Sequence, residues 1–485
     1  MQLFNKYLYG ILLIYNFRAG WRFWDNSINY QLNVGRIVKY KILFINSPLF
    51  MAESKDNSED KLPPIGLGYI ATSISNNGHD VEFLDAVSGE IGVKRIIEKI
   101  KSANPDFVAI NIFSTNYELV KKIVTSVDIK VNFIIGGIVT KSIYKLINDW
   151  DTDNHIDIVF GDGELITEGI INNNLIQEPD AIADNRRFFL VDSKSPYFVQ
   201  NISNLPLNRS FFEYEPIFNH HGDIEISVVT SRGCIHDCAF CSAARSMNRE
   251  IKIRKKQKES IKNELKQIST MYPNVTAIRI LDDLFLKNRQ SLPEAIEIFS
   301  ETHYNWRSMA HLKTFKGVDQ NLLIELKKSG CIELFIGIES GSDRVLKIIN
   351  KERADIDTLA ILHNIFKAQI GVKGYFILGM PSETEAELIE TYEFAKKIKN
   401  ISIETGSCFR VSAFQFRPYH GTKIYNHLFA ESSEDNPSIT QNINLTKLIG
   451  GRSGFNFSSG NYSECNEKTL LKYIKSILDL NNFQV

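Results

Sequence analysis

The chain has 485 residues, which points to about three domains. Hydrophobic residues make up 43% and charged residues 23%, so a mostly disordered chain, a collagen-like repeat and a multi-span membrane protein are excluded. Basic residues number 56 against 57 acidic, a net charge of −1, and no global field draws in nucleic acid or an anionic membrane. Six cysteines are too few for a disulfide scaffold.

The chain opens with an apolar run, Leu8–Phe17, shorter than the ~20 residues of a membrane span. Trp21, Phe23 and Trp24 stand where a signal peptide would have its small-residue cleavage site. Residues 1–38 are therefore read as an N-terminal extension packed on a cytoplasmic protein, with a membrane-surface anchor as the other reading.

From Lys41, short β-branched runs (41–46, 81–84, 107–112, 131–135 and 156–160) alternate with segments of helical period. This predicts a parallel, doubly wound α/β domain over residues 39–181. Such sheets bind ligands beyond the carboxyl ends of their strands. The loops there carry Ser47-Pro48, Ser114-Thr115-Asn116, Gly136-Gly137 and Gly161-Asp162-Gly163-Glu164, small residues that let a large ligand approach the backbone. Residues 182–223 read as a polar connector punctuated by Pro196, Pro206 and Pro216.

A second β/α series spans residues 224–425. Its expected strands are 225–230, 277–281, 306–310, 333–337, 374–378 and 410–416, with helices between them. Six such units predict a partial, TIM-like (β/α)6 barrel whose site lies at the strand C-termini. Residues 426–485 read as an appendage with a polar loop over 432–444 and a helix near 467–480.

Cys234, Cys238 and Cys241 follow the first barrel strand directly. Three thiolates on one loop can converge on a soft metal. They leave a fourth position open, which His236 could fill on zinc, or which a four-iron, four-sulfur cluster would offer to a ligand. Buried free cysteines are the remaining reading. Cys331 reads as core, Cys408 as structural. The basic run Lys252–Lys258 reads as a solvated face, with Arg254 a possible contact for a substrate carboxylate or phosphate.

The spacing C-x3-C-x2-C, with Phe240 before the last cysteine, resembles the radical S-adenosylmethionine (SAM) enzymes. So do Asp282-Asp283 after the second barrel strand, Glu339-Ser340-Gly341 after the fourth, the segment Gly374–Thr384, and Phe416–Thr422, where Tyr419-His420 interrupts the usual Pro-Gly-Thr. The α/β half resembles the cobalamin-binding domain that precedes the barrel in one subgroup, through Leu62–Leu67 and the glycine loops. The histidine loop that ligates cobalt in other cobalamin proteins is absent, and Ser47–Phe50 takes its place.

The resemblance implies three cofactors: a [4Fe–4S] cluster on Cys234, Cys238 and Cys241, SAM, and cobalamin. It assigns SAM to Phe240, Asp282, Asp283, Glu339, Ser340 and Gly341. It assigns cobalamin to Ser47, Pro48, Ser114, Thr115, Asn116, Gly136, Gly137, Gly161, Gly163 and Glu164. The implied activity is radical methylation of a small molecule or natural-product intermediate, initiated by a 5′-deoxyadenosyl radical and served by a flavodoxin or ferredoxin. A radical cyclase, rearrangement or oxidative enzyme that does not carry methyl on cobalamin is the alternative. A non-catalytic metal module is disfavoured by the open iron position and the strand-end acids.

Overall fold

The computed structural model describes residues 38–48, 62–351, 353, 356–429 and 461–482. The apolar run 8–17 and the polar segment 432–444 lie outside the described residues. From Tyr40 onward the chain forms one compact unit built on two seven-stranded sheets.

The first sheet is made of β1 (Lys41–Asn46), β2 (Asp80–Asp85), β3 (Phe107–Asn111), β4 (Asn132–Gly136), β5 (Ile156–Gly161), β6 (Ala181–Ala183) and β7 (Arg186–Val191). Its order is β2-β1-β3-β4-β5-β7-β6, parallel except for the β6 edge. Runs such as Ile42–Ile45 are buried throughout because both faces are covered. Helices Val93–Ala103, Tyr117–Ser126 and Thr140–Asn148 cover one face, and Ile65–Asn76 and Ile166–Ile171 the other. The 2-1-3-4-5 core order puts the topological switch between β1 and β3, where a ligand crevice opens.

Two strands of this sheet reach into what the sequence reads as connector. β7 (RRFFLV) pairs in parallel with β5, and β6 folds back on it. The paired arginines hide the strand pattern: Arg187 reaches Asp157 with both Nε (2.7 Å) and Nη2 (3.0 Å).

After the short strand β8 (Ile217–Phe218), the second sheet runs through β9 (Ile224–Val228). A small hairpin of β10 (Ser231–Arg232) and β11 (Arg254–Lys255) follows. Then come β12 (Ala277–Ile280), β13 (Asn305–Ala310), β14 (Cys331–Glu339), β15 (Gly371–Leu378) and β16 (Phe409–Gln415). The sheet order is β16-β15-β14-β13-β12-β9-β8, and only β8 is antiparallel. β9 and β16 do not pair, so this is a curled, open half-barrel. The helix Glu467–Leu478 packs along β16 and sinks Leu470, Ile474 and Ile477 into the barrel core. Each buried aliphatic chain of this kind contributes about 1.5–3 kcal/mol. Asn481 then bonds both backbone groups of Val411, accepting from its N–H at 2.8 Å and donating to its carbonyl at 3.0 Å.

At the starts of the barrel strands, Arg307 is fully buried between Glu225 and Glu333, and Arg410 also holds Glu333. His220 and His221 lie close enough to Glu333 to make a metal-like trio. Two guanidiniums already neutralise that carboxylate, so the trio is an ion-pair core. Cys331 is buried in the barrel core, whereas Cys408 is exposed.

Candidate active site between two strand-end edges

The cysteine loop begins where β9 meets the hairpin. Asp282, just past β12, is buried and fixes this start. It accepts from the Thr230 N–H, the Thr230 hydroxyl and the Ser231 hydroxyl, each at 2.6 Å. Asp283 accepts from the Gly233 N–H at 3.0 Å and lines a cavity beside Cys234. Of the two acids, Asp282 is consumed by holding the loop, and Asp283 keeps one oxygen for a ligand.

All three loop cysteines are free thiols of intermediate exposure. Burial raises each thiol, that of Cys241 to about 12. A bound cation reverses this tendency, because it stabilises thiolates at the point where the protein alone favours thiols. The soft donor set therefore fits an iron–sulfur cluster. The His236 ring stacks on that of His311, with centroids 3.9 Å apart.

At the end of β14 the backbone bulges, and Glu339 adopts a left-handed φ of 64°. Its Oε1 accepts from Lys351 Nζ at 2.6 Å, and both side chains are nearly buried. A Cβ at Gly337 would lie 2.2 Å from Glu339 Oε1 and 2.4 Å from Lys351 Nζ, so a side chain there would push this pair aside. Burial works against the charged form of Lys351, and Glu339 and Cys238 more than offset it, so its pKa is raised. Ser340 and Gly341 turn the other way, onto Thr391 of the helix Glu385–Glu404, at 2.9 Å each. Phe240 packs against the cluster around Ala239 and Phe416.

The opposing edge belongs to the α/β sheet. A cavity of about 640 Å³ lies over its strand ends. Ser114, Thr115, Gly136, Gly137, Gly161, Gly163 and Glu164 line it, and the barrel contributes Arg232, Ser242 and Tyr419. Ser47 and Asn116 stand behind the wall. The Ser47 N–H and hydroxyl donate to Asn111 Oδ1, and Asn116 Nδ2 donates to Ser47 Oγ at 2.6 Å. Pro48 is buried beside them. Asn46 and Asn111, unmarked in the sequence reading, line the cavity and are bonded to each other at 2.8 Å.

Two observations fit a large planar ligand here. A Cβ at Gly136 would meet nothing within 4 Å. Glu164 Oε2 is a buried acceptor on the cavity wall with no partner among the described residues.

The two edges are clamped together by ion pairs. Arg232, one residue before the cysteine loop, bonds Asp162 at 2.9 Å and also Glu164. Arg254 chelates Asp162 with two nitrogens, and its guanidinium lies 4.2 Å from the Phe198 ring centroid. Lys256 is buried against the Tyr69 hydroxyl and Glu264. The run Lys252–Lys258 is thus a solvated face only in part. Arg254 and Lys256 point inward and Lys255 between them outward, as extended backbone alternates its side chains, while Lys252 and Lys258 are exposed at the two ends of the run. Arg254 is spent on Asp162 rather than left for a substrate.

Residues 228–395 match the Radical SAM superfamily, and residues 55–171 match the B12 binding domain. The chain belongs to the radical SAM enzymes that carry a cobalamin-binding domain ahead of the barrel. A radical SAM domain implies a [4Fe–4S] cluster and SAM, and a B12-binding domain implies cobalamin. An uncharacterized methyltransferase of Pyrococcus horikoshii is 27% identical over 396 residues, covering 76% of this chain and 79% of that protein. Cytidylyl-2-hydroxyethylphosphonate methyltransferase of Streptomyces wedmorensis is 24% identical over 397 residues, covering 69% and 73%. Among solved structures, the radical SAM methyltransferase TsrM from Kitasatospora setae aligns with a TM-score of 0.57 at 13% identity, over 81% of this chain and 76% of that one. The cobalamin-dependent SAM radical enzyme OxsB aligns at 0.54 and 16%, over 74% and 52%. At these identities the two structures establish the shared fold. No helix among the described residues is long and apolar enough to cross a membrane.

Proposed function

We propose that this radical SAM enzyme is a cobalamin-dependent methyltransferase acting on a small molecule held between the half-barrel and the α/β domain. The observation that carries this is the cavity of about 640 Å³, walled on one side by the α/β strand ends and on the other by Arg232, Ser242 and Tyr419. Transfer of a methyl group needs the receiving carbon near both centres, and facing edges supply that proximity.

In this reading Cys234, Cys238 and Cys241 hold the cluster. Asp283 and Glu339 present carboxylates to the amino and ribose groups of SAM, and Phe240 packs beside them. Asp282, Ser340 and Gly341 keep those loops in place. Gly136 gives the corrin close access to backbone, and Gly137, Gly161 and Gly163 line the same wall, with Ser114, Thr115 and Glu164 as its polar contacts. Ser47, Pro48 and Asn116 support that wall from behind. When bound, these groups supply reductive cleavage of SAM, hydrogen abstraction and a transferable methyl. The chain's own contribution is to orient substrate between the two edges and to keep water from the space between them. An oxygen-sensitive centre needs a reducing compartment and a one-electron donor, so the protein is placed in the cytoplasm with a flavodoxin or ferredoxin partner.

Anaerobic reconstitution with iron, sulfide and cobalamin tests this, followed by mass spectrometry of the products. One 5′-deoxyadenosine and one S-adenosylhomocysteine per methylated product are expected. Full turnover without cobalamin, or a product with no added methyl, would transfer the assignment to non-methylating radical chemistry.

A further inference from the structure

A second cavity, about 250 Å³, adjoins the first. The two share Gly137, Ile138, Gly161 and Arg232 on their walls, and the second also touches Cys234 and Asp283. It therefore borders both edges at once. Four basic side chains line it: Arg232, Arg245, Lys252 and Arg254.

Their charges are not equally available. Arg232 and Arg254 are neutralised by Asp162 and Glu164. Arg245 spends only Nη1, donating to the carbonyls of Asn248 (3.1 Å) and Ile251 (2.8 Å). This pins the guanidinium and leaves Nε and Nη2 without bonds among the described residues. Lys252 is exposed at the rim and makes no ion pair or hydrogen bond among the described residues. Asp283 is the acid that remains on this wall once Asp162 is paired. Two cations with open donors and one carboxylate thus line a small chamber beside the cysteine loop.

We propose that the substrate carries an acidic group, a carboxylate or a phosphoryl oxyanion, held in this second cavity by Lys252 and the open edge of the Arg245 guanidinium. The inference rests on the methyltransferase reading and adds the substrate class. A fixed guanidinium edge matches a planar or tetrahedral oxyanion, and the lysine supplies a point charge on a mobile stem. Because the chamber adjoins the larger one, an acid anchored here leaves the rest of the substrate to extend between the two edges.

The test uses the reconstituted holoenzyme loaded with cobalamin and SAM. Phenylphosphonate, benzoate and uncharged benzamide are titrated by calorimetry. Saturable binding of phenylphosphonate or benzoate is expected, with benzamide at least about tenfold weaker and the anions losing affinity as salt is raised. The stronger of the two anions identifies the acid class. Lys252→Gln should weaken anion binding about tenfold. Arg245→Lys, which keeps the charge and loses the fork, should weaken it severalfold with the cluster absorbance retained. Lys255→Gln, whose lysine pairs with Glu294 on the surface, should change nothing. Equal affinity of wild type and Lys252→Gln for both anions would overturn the proposal. So would displacement of SAM or cobalamin by the anions, because the cations would then serve a cofactor. Cobalamin retention and 5′-deoxyadenosine formation in the same samples report on the methyltransferase reading separately.

Discussion

The adjacent glycines after β4 separate two meanings that a glycine can have. Gly136 faces open space, so a side chain there would project into the cavity without disturbing the wall. Gly137 has φ 149° and would put a Cβ 2.3 Å from the Ile112 carbonyl, so any side chain there forces backbone apart. Gly136→Leu should therefore fold with near-normal thermal stability and retain at least tenfold less cobalamin, read from the corrin absorbance after gel filtration. Gly137→Ala should lower the melting temperature by several degrees, consistent with a cost of about 1–3 kcal/mol. Equal effects at the two positions would show that the cavity is not where the corrin lies. Both glycines were visible in the sequence as one motif. Their division of labour was not, because it depends on where β3 ends beside them.

At the level of elements, the open edge of the half-barrel is the part that needs a cover. β16 would present unpaired backbone groups, and an edge of that kind invites pairing with another chain. The C-terminal helix covers it with apolar side chains, and Asn481 substitutes for a neighbouring strand at Val411. Asn481→Ala should cost about 1–2 kcal/mol, the range for leaving buried backbone groups unpaired. Removing residues from 467 onward should produce aggregation on purification, followed by light scattering. A truncated chain that stays monodisperse and binds SAM would reduce the helix to an ornament. The barrel strands and most of its helices were legible because buried parallel strands read as continuous apolar runs and their helices carry the 3.6 period. The short helix Asp343–Ile348, capped by the Ser342 side chain on Val345 N–H, fell below that signal. β7 was missed because Arg186 and Arg187 find partners on neighbouring elements, and β6 because its three residues are too few to show a period. The cysteine loop and glycine loops were legible as motifs. Asn46, Asn111, Arg232 and Tyr419 joined the cavity only through tertiary placement.

For the whole molecule, the contact between the halves combines apolar packing with a polar, pH-sensitive part. His420, just past β16, is buried against the α/β domain, with its N–H and Nδ1 both at Ser114 Oγ (3.1 and 3.0 Å). Burial lowers its pKa to about 4, from an ordinary value near 6.5. The unfolded chain therefore binds the proton first, and stability falls as pH drops from about 6.5 to 4, by an order of 3 kcal/mol at most. His420→Asn should flatten that part of the stability–pH curve in urea titrations, and a slope as steep as that of wild type would count against this account. The other half of the contact is Arg232, and its placement has a thermodynamic corollary. The residue that opens the cysteine loop also holds Glu164, the cavity acid with one oxygen still unpaired. A ligand that engages that oxygen alters the balance of forces on Arg232, and through Gly233 on the loop that follows. Linkage is symmetric: whatever free energy corrin binding lends to cluster assembly, cluster assembly returns to corrin binding. The order in which the two centres are loaded then changes the rates and leaves the final occupancy the same.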